Sequence, residues 1–207
     1  MPWEVCAVDD GSDDATGVLL DGLAMNHPNV RVAHHTRCEG TGPAILTGAR
    51  CATHPWVLVC PVDQPLDAVT LQRFAGAREG VDVVVGYRTR RLGYSWWMRF
   101  ASSAYRVMLG WLFGRRLRDW TWISCYRTEW LRQVPTHSRR IAFFPEVLAR
   151  AIAQGARLTE VQCEMHPRRV GRATASRLGA ITQNAADTLW VCWDLRRTLG
   201  GPRGLRP

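Results

Sequence analysis

The sequence predicts an α/β sandwich with a mainly parallel sheet. Over the first 87 residues, strand-like and helix-like patterns alternate, and this alternation is typical of parallel sheets covered by helices. The apolar run at residues 56–60 is unbroken, as expected of a strand buried on both faces. Acidic clusters at residues 9–14 and 63–67 each follow a strand-like run. Because ligands bind beyond the carboxyl ends of parallel strands, both clusters are expected to face one crevice.

The individual elements of the first half follow from short-range patterns. A strand is expected where apolar residues run up to Asp9, and a helix where the apolar stripe of VLLDGLAM follows. A glycine-rich stretch then leads into a second helix. In chain order, the predicted elements are a strand at 5–8, a helix at 16–25, a strand at 30–33, a loop and helix within 37–53, a strand at 56–60, a helix at 68–79 and a strand at 81–87.

The second half has a different character. Residues 94–113 are aromatic, contain arginines and have helical spacing. They predict either a buried amphipathic helix or an interfacial helix with tryptophans at the level of lipid headgroups. A helix is expected at 144–155 and a strand at 157–165. The predicted organisation is a single domain over residues 1–180, divided at residue 87, with an amphipathic helix at 181–199 and a flexible tail at 200–207.

Charge is divided unevenly between the two halves. All 27 basic residues are arginines; residues 1–87 hold 5 of them against 11 carboxylates, whereas residues 88–207 hold 22 against 7. The acidic half suits a metal or a sugar, and the basic half suits phosphates, a nucleic acid or an anionic membrane. Arginine is well suited to bidentate phosphate binding. Because no nucleic-acid recognition motif is present, we expect no nucleic-acid partner.

Cysteine usage and hydropathy indicate the compartment. The seven cysteines are scattered without a CxxC pair, which predicts reduced, mostly buried thiols in a cytoplasmic setting. There is no signal-peptide pattern after Met1 and no apolar run of about 18 residues. We therefore expect a cytoplasmic protein that associates peripherally with the membrane surface.

Five segments in order carry a resemblance to a known family. They read EVCAVDDGSDDAT, RCEGTGPAILTGA, WVLVCPVDQPLD, DVVVGYRTRR and a stretch running from FFPEVLARAIAQG to ATAS. With RDW and YRTEWL between them, they cover most of residues 4–180. The sequence resembles the family 2 inverting glycosyltransferases of the GT-A fold, in particular the dolichyl/polyprenyl-phosphate mannose synthase-like branch. The resemblance implies a three-layer α/β/α sandwich and transfer of a hexose from a GDP- or UDP-sugar to a polyprenyl phosphate, with inversion and with Mg²⁺ or Mn²⁺ as cofactor.

The resemblance also implies roles for individual residues on the donor side. Asp63 would be the metal ligand and a catalytic carboxylate facing the diphosphate. The nucleotide-diphosphate sugar would be bound by Asp9, Asp10, Ser12, Asp63, Arg169 and Arg172. Without the resemblance, the same residues also allow a purely structural interpretation. Asp9, Asp10 and Ser12 would then be an ordinary strand end and helix cap. Asp63 would be part of a turn, and Arg169 and Arg172 would belong to a solvated basic loop.

On the acceptor side, Arg118 and Asp119 match the Arg-Asp pair of the family and would be catalytic. Arg118 would also bind the acceptor, together with Glu146. Since the oxygen of a lipid phosphate is already anionic, no protein base is needed to activate it. Cations near the attacked carbon would stabilise the charge that develops there.

The sequence departs from the family pattern in several places. It opens where the second strand of the family is expected, so we expect the first strand to be lacking and the centre of the sheet to be open. The DxD metal motif reads Pro61-Val62-Asp63, Cys38 replaces an asparagine and Thr41 a lysine. A second hypothesis follows from these changes: a catalytically impaired or truncated paralogue with a structural or regulatory role at the membrane.

Overall fold

The computed structural model describes residues 2–62, 66–89, 96–164 and 178–199, and only the backbone of 178–183 and 199. Strands and helices alternate through most of it, which confirms the predicted α/β class. In chain order the elements are β1 (Val5–Asp9), α1 (Thr16–Asn26), β2 (Val30–His34), α2 (Thr41–Cys51), β3 (Trp56–Leu58), α3 (Ala68–Gly76), β4 (Val83–Arg88), α4 (Trp96–Phe113), β5 (Ser124–Arg127), α5 (Thr128–Gln133), α6 (Phe143–Ala153), β6 (Leu158–Cys163) and α7 (Leu178–Leu199).

The described strands form two sheets. β1 and β2 pair in parallel, with Asp9 opposite His34 at the end of the ladder. The second sheet has the order β3-β5-β4-β6. In it, β4 and β6 are parallel, whereas β5 is antiparallel to both of its neighbours. Therefore β3, β4 and β6 all run in one direction and only β5 opposes them.

One strand differs from its sequence-based expectation. We expected a parallel strand buried on both faces at residues 56–60, but β3 covers only Trp56–Leu58, is half-buried and pairs with antiparallel β5. The expectation was wrong because an apolar run indicates burial but not the direction of the neighbouring strand. Neither β5 nor α5 was predicted, and β5 occupies the position beside β3.

The core lies on both faces of the second sheet, as a three-layer sandwich requires. Along β4, Val83 and Val85 pack into one cluster and Val84 into the other, because successive side chains of a strand point to opposite faces. The larger cluster joins β4 to α4, α6 and α7, and the smaller one includes Phe74 of α3.

Helices α4 and α7 close one side of the larger cluster. Leu109 and Leu195, one from each helix, are fully buried there, and the hydroxyls of Tyr105 and Thr188 form a 2.7 Å hydrogen bond between the helices. The predicted C-terminal helix is thus present and begins at Leu178. Among the described helices, none is both long and apolar enough to cross a membrane.

Candidate functional site

Asp10, directly after β1, holds the glycine-rich loop that precedes α2. Its carboxylate accepts hydrogen bonds from the backbone N–H groups of Glu39 (2.9 Å) and Gly40 (2.8 Å), and from His35 Nδ1 (2.8 Å). Burial raises the pKa of Asp10, but these hydrogen bonds outweigh burial and lower its pKa overall. Asp10 therefore stays ionised and fixes the loop beside the strand end.

Asp9 organises the turn that follows β1. One of its oxygens accepts a 3.0 Å hydrogen bond from the Ser12 N–H, and the other lies 3.2 Å from His34 Nδ1. Hydrogen bonds from Ser12, followed by that from His34, lower the pKa of Asp9. His34 Nε2 also contacts Asp21 on α1 at 3.0 Å. Hydrogen bonds to Asp21 and then to Asp9 raise the pKa of His34.

Two consecutive aspartates are thus paired with two consecutive histidines from the neighbouring strand end. The register of the parallel ladder, with Asp9 opposite His34, produces this pairing. His34 and His35 were not predicted as site residues. Their position after the second predicted strand, at the same level as the two aspartates, was the feature of the sequence that could have identified them.

The glycine-rich loop approaches the loop at residues 137–140 very closely. Gly40 has φ +104, and a Cβ atom there would lie 2.4 Å from the carbonyl oxygen of Arg139. The N–H of Gly42 donates to the same carbonyl at 3.0 Å, and a Cβ at Gly42 would lie 2.4 Å from the Ser138 carbonyl oxygen. Glycine is needed at both positions because no side chain fits between the two loops.

Glu146, the predicted acceptor-binding carboxylate, holds the 137–140 loop from its other side. Only 1% of Glu146 is exposed. Its oxygens accept from the N–H groups of His137 (3.1 Å) and Ser138 (2.8 Å) and from Arg150 Nη2 (2.8 Å). Arg150 also binds Asp194 of α7 at 2.9 Å. Glu146 is placed to position the loop, and its buried oxygens do not face solvent.

Asp119, one member of the predicted catalytic pair, is buried against Arg88 at the end of β4. Arg88 donates from Nε to Asp119 Oδ2 at 2.8 Å and from Nη2 to Oδ1 at 3.2 Å. The Arg88 guanidinium also lies over the Trp122 ring, 4.6 Å from its centroid. Arg88 was not predicted as a site residue. A planar, bidentate pair of this kind fixes the orientation of both groups.

Arg118, the other member of the pair, presents an exposed side chain. Its guanidinium lies 4.5 Å from the centroid of the Tyr87 ring. Its backbone N–H donates to Glu160 at 2.7 Å, and its carbonyl accepts from Arg106 of α4 at 3.0 Å. The backbone of Arg118 is therefore fixed between β6 and α4, while its charge faces outward.

Three predicted site residues lie outside the described residues: Asp63, Arg169 and Arg172. Within the part of the chain that is described, no group of three or more His, Cys, Asp or Glu side chains could hold a metal ion. Asp67, from the same acidic cluster as Asp63, accepts from the Thr70 N–H at 2.6 Å and caps α3.

Beside this charged region, α4 exposes a row of large apolar side chains, here called the α4 aromatic face. Trp97 and Phe100 stack with their ring centroids 5.7 Å apart. A shallow apolar groove continues along the helix to Trp111. The residues of the α4 aromatic face are Trp96, Trp97, Phe100, Val107 and Trp111, each at least half exposed.

Comparisons with known proteins agree with the architecture. The sequence model described as "Glycosyl transferase family 2" matches residues 1–140. A Mycobacterium tuberculosis protein described as an uncharacterized glycosyltransferase is 29% identical over 180 residues, which are 84% of this chain and 78% of that protein. The polyprenol monophosphomannose synthase of Mycolicibacterium smegmatis is 28% identical over 215 residues, covering 97% of this chain and 80% of the synthase.

A solved structure shows the same fold. Glucosyl-3-phosphoglycerate synthase of Mycobacterium tuberculosis, in complex with Mn²⁺, uridine diphosphate and glucosyl-3-phosphoglycerate, superposes with a TM-score of 0.70 at 18% identity. The match covers 92% of this chain and 69% of that chain.

Proposed function

The chain belongs to glycosyl transferase family 2, is a glycosyltransferase and has the GT-A fold, and from this premise we propose that it transfers a hexose to a polyprenyl phosphate. The donor is a GDP- or UDP-sugar, and the configuration at the anomeric carbon is inverted. The predicted family and fold are confirmed by the family match and the structural similarity. The identity of the donor, the identity of the acceptor and the membrane association go beyond the family and the fold, and they are proposed here.

The observation that carries the acceptor proposal is the connection between Arg118 and the α4 aromatic face. Arg106 of α4 donates to the carbonyl of Arg118, so an exposed cation lies next to a helix that exposes tryptophans. Aromatic side chains of this kind settle at the headgroup level of a bilayer, where arginines meet anionic groups. A lipid phosphate has both parts, an apolar chain and a charged head.

The similarity to polyprenol monophosphomannose synthase supports the same acceptor class. We place the protein at the cytoplasmic membrane surface as a peripheral enzyme. The α4 aromatic face provides the contact, and exposed arginines of the basic half, which holds 22 arginines against 7 carboxylates, provide attraction to anionic lipid.

For the donor, we propose that Asp9, Asp10 and Ser12 shape the site of the nucleotide and that Arg169 and Arg172 approach the diphosphate. Asp9 and Asp10 act mainly by fixing the turn and the glycine-rich loop, because their oxygens already accept several hydrogen bonds. Asp63 is the proposed ligand of Mg²⁺ or Mn²⁺. When bound, the ion would neutralise charge on the leaving diphosphate.

In the proposed reaction, an anionic oxygen of the acceptor phosphate attacks the anomeric carbon of the sugar. The bond from that carbon to the diphosphate oxygen breaks on the opposite face, and the nucleoside diphosphate leaves with the electron pair. Arg118 would hold the acceptor phosphate, because its guanidinium is exposed. Asp119 acts as a positioning residue through its bidentate pair with Arg88.

The proposal is tested by sugar transfer with the purified chain. Radiolabelled GDP-mannose and UDP-glucose are offered with polyprenyl phosphate in phosphatidylcholine vesicles, with Mn²⁺, with Mg²⁺ or with EDTA. We expect a labelled lipid product only with metal. Metal-dependent nucleotide binding without any labelled lipid would contradict the acceptor proposal and would support the catalytically impaired alternative. Transfer that persists fully in EDTA would contradict the metal requirement.

A further inference from the structure

A cavity of about 440 Å³ lies between the 137–140 loop and α7, here called the loop–α7 pocket. Its volume falls within the range of about 300–1,000 Å³ typical of small-molecule sites. It is lined by His137, Ser138, Arg139, Arg140, Asp187 and Trp190. None of these residues has a role in the donor or acceptor site described above.

The lining is rich in groups that bind phosphate. Arg139 and Arg140 are consecutive and exposed, and no ion pair with another described residue uses either guanidinium. Two adjacent guanidinium groups can bind a phosphate through paired N–H···O hydrogen bonds. Asp187 contributes one carboxylate to the lining. The two arginines therefore leave the pocket with an excess of positive charge.

The backbone that carries the two arginines is fixed from both sides. Glu146 accepts from the N–H groups of His137 and Ser138, and the Arg139 carbonyl accepts from the Gly42 N–H. A rigid loop of this kind loses little conformational entropy when a ligand binds, because the loop is already ordered.

The α7 side of the pocket has an aromatic wall, formed by Trp190. The rings of His137 and Trp190 meet edge to face, with centroids 4.6 Å apart, and 41% of Trp190 is exposed. An exposed indole next to two guanidinium groups suits a ligand with a phosphate at one end and a carbon skeleton at the other. A purely inorganic anion would leave this wall unused.

We propose that the loop–α7 pocket binds a phosphate monoester. Arg139 and Arg140 hold the phosphate, the Ser138 hydroxyl donates to it, and Trp190 packs against the carbon skeleton. The phosphate could belong to a lipid headgroup or to a small phosphorylated acid or alcohol, and the binding chemistry is the same in both cases. This inference concerns binding alone and holds whether or not the proposed transfer reaction is correct.

Calorimetric titration of glycerol 3-phosphate into the full chain, without nucleotide or metal, tests the proposal. We expect saturable binding by the wild type and a loss of at least about tenfold in affinity in the double variant Arg139→Gln with Arg140→Gln. The matched control is Arg115→Gln with Arg116→Gln, an exposed consecutive pair that follows α4 and is not part of the pocket lining. This control removes the same charge and is expected to bind like the wild type.

A second arm distinguishes the source of the phosphate. Phosphatidylcholine vesicles with and without polyprenyl phosphate are compared for sedimentation with the wild type and with both double variants. If only the Arg139/Arg140 variant loses sedimentation, and only with the vesicles that contain polyprenyl phosphate, the pocket binds the lipid phosphate. If the pocket binds glycerol 3-phosphate but not these vesicles, its ligand is a small molecule. The proposal is overturned if neither probe binds, or if both double variants lose affinity equally. Circular dichroism spectra that match the wild type exclude misfolding of the variants.

Discussion

The carboxylate of Glu146 accepts a 2.8 Å hydrogen bond from the backbone N–H of Ser138. Through this contact a buried carboxylate of α6 fixes the surface loop that carries Arg139 and Arg140. The other side of the loop meets the glycines before and within α2. The 137–140 loop therefore connects the acidic half of the chain, which includes Asp10, with the basic half.

Removing Glu146 should destabilise the fold strongly. Glu146→Ala leaves Arg150, of which 4% is exposed, with Asp194 as its remaining carboxylate partner, and leaves two backbone N–H groups without an acceptor. Breaking a buried ion pair costs about 3–5 kcal/mol. Because Asp194 remains as a partner of Arg150, we expect the free energy of unfolding to fall by about 3 kcal/mol. Urea denaturation measures this value.

A surface ion pair provides the control. Glu129→Ala removes a carboxylate that is 74% exposed and pairs with Arg132, and its loss should cost less than about 1 kcal/mol. Glu146→Gln, which keeps an acceptor oxygen, should lie between the two. Equal effects of Glu146→Ala and Glu129→Ala would contradict the structural role of Glu146.

The contact between the two loops predicts that Gly42→Ala is destabilising although it lies in a helix. The added methyl would lie 2.4 Å from the Ser138 carbonyl oxygen and 2.8 Å from the Phe143 ring. Overpacking of this kind costs about 1–3 kcal/mol. Gly22→Ala in α1 is the matched control, because its Cβ would meet nothing within 4 Å. The control should instead stabilise the helix by about 0.5–1 kcal/mol, and thermal unfolding compares the two variants.

The metal proposal predicts that Asp63→Ala abolishes the metal-dependent part of nucleotide binding. Calorimetric titration of GDP and UDP, with Mn²⁺ or with EDTA, separates that part from any metal-independent binding. Asp13→Ala removes an exposed carboxylate from the other acidic cluster and should leave binding unchanged. If Asp63→Ala binds nucleotide as tightly as the wild type in Mn²⁺, Asp63 is not the metal ligand.

The fold class was predictable because the periodicity of apolar residues indicates the burial of each element separately. The helices of the first half were predicted to within a few residues, although α1 buries no side chain and only α3 has a side-chain cap, from Asp67. β5 was missed because it is only four residues long and α5 begins at the residue that follows it. Strand direction in the second sheet, which depends on long-range pairing, could not be read from a local apolar run.

The candidate site was predictable only in part, for a related reason. Asp9, Asp10, Arg118 and Asp119 follow strands or a family motif and could be found from position. Their partners could not, because Arg88 meets Asp119 across 31 residues and His35 meets Asp10 across 25. The sequence also gave no indication that Glu146 would be fully buried, since carboxylates in the first turn of a helix are usually exposed.

His34 predicts a specific dependence of stability on pH. Its contacts with Asp21 and Asp9 raise its pKa above the ordinary value of 6.5, so the folded state binds a proton that the unfolded state has released. This stabilisation is complete below pH 6.5 and is lost as the pH rises through the raised pKa. Relative to the wild type, His34→Gln should therefore lose stability at about pH 6 and lose little at about pH 9.

Urea denaturation across this pH range measures the difference, and His27→Gln, an exposed histidine at the end of α1, is the control. The lowered pKa of Asp9 affects stability in a separate pH range. The stability that the Asp9 carboxylate contributes is present above pH 3.8 and is lost as the pH falls through its lowered pKa. Parallel pH profiles for the wild type and His34→Gln would show that the His34 contacts contribute nothing.

The α4 aromatic face predicts binding to vesicles. Replacing Trp96, Trp97 and Trp111 by serine should reduce sedimentation with anionic vesicles by at least about tenfold, because burying one large apolar side chain contributes about 1.5–3 kcal/mol. The control variant replaces by serine three apolar side chains of α1 that are each at least 66% exposed, Val18, Leu19 and Met25. If both variants lose binding equally, general surface hydrophobicity is responsible. A specific loss in the α4 variant would place this helix at the membrane, with the guanidinium of Arg118 close to the headgroups.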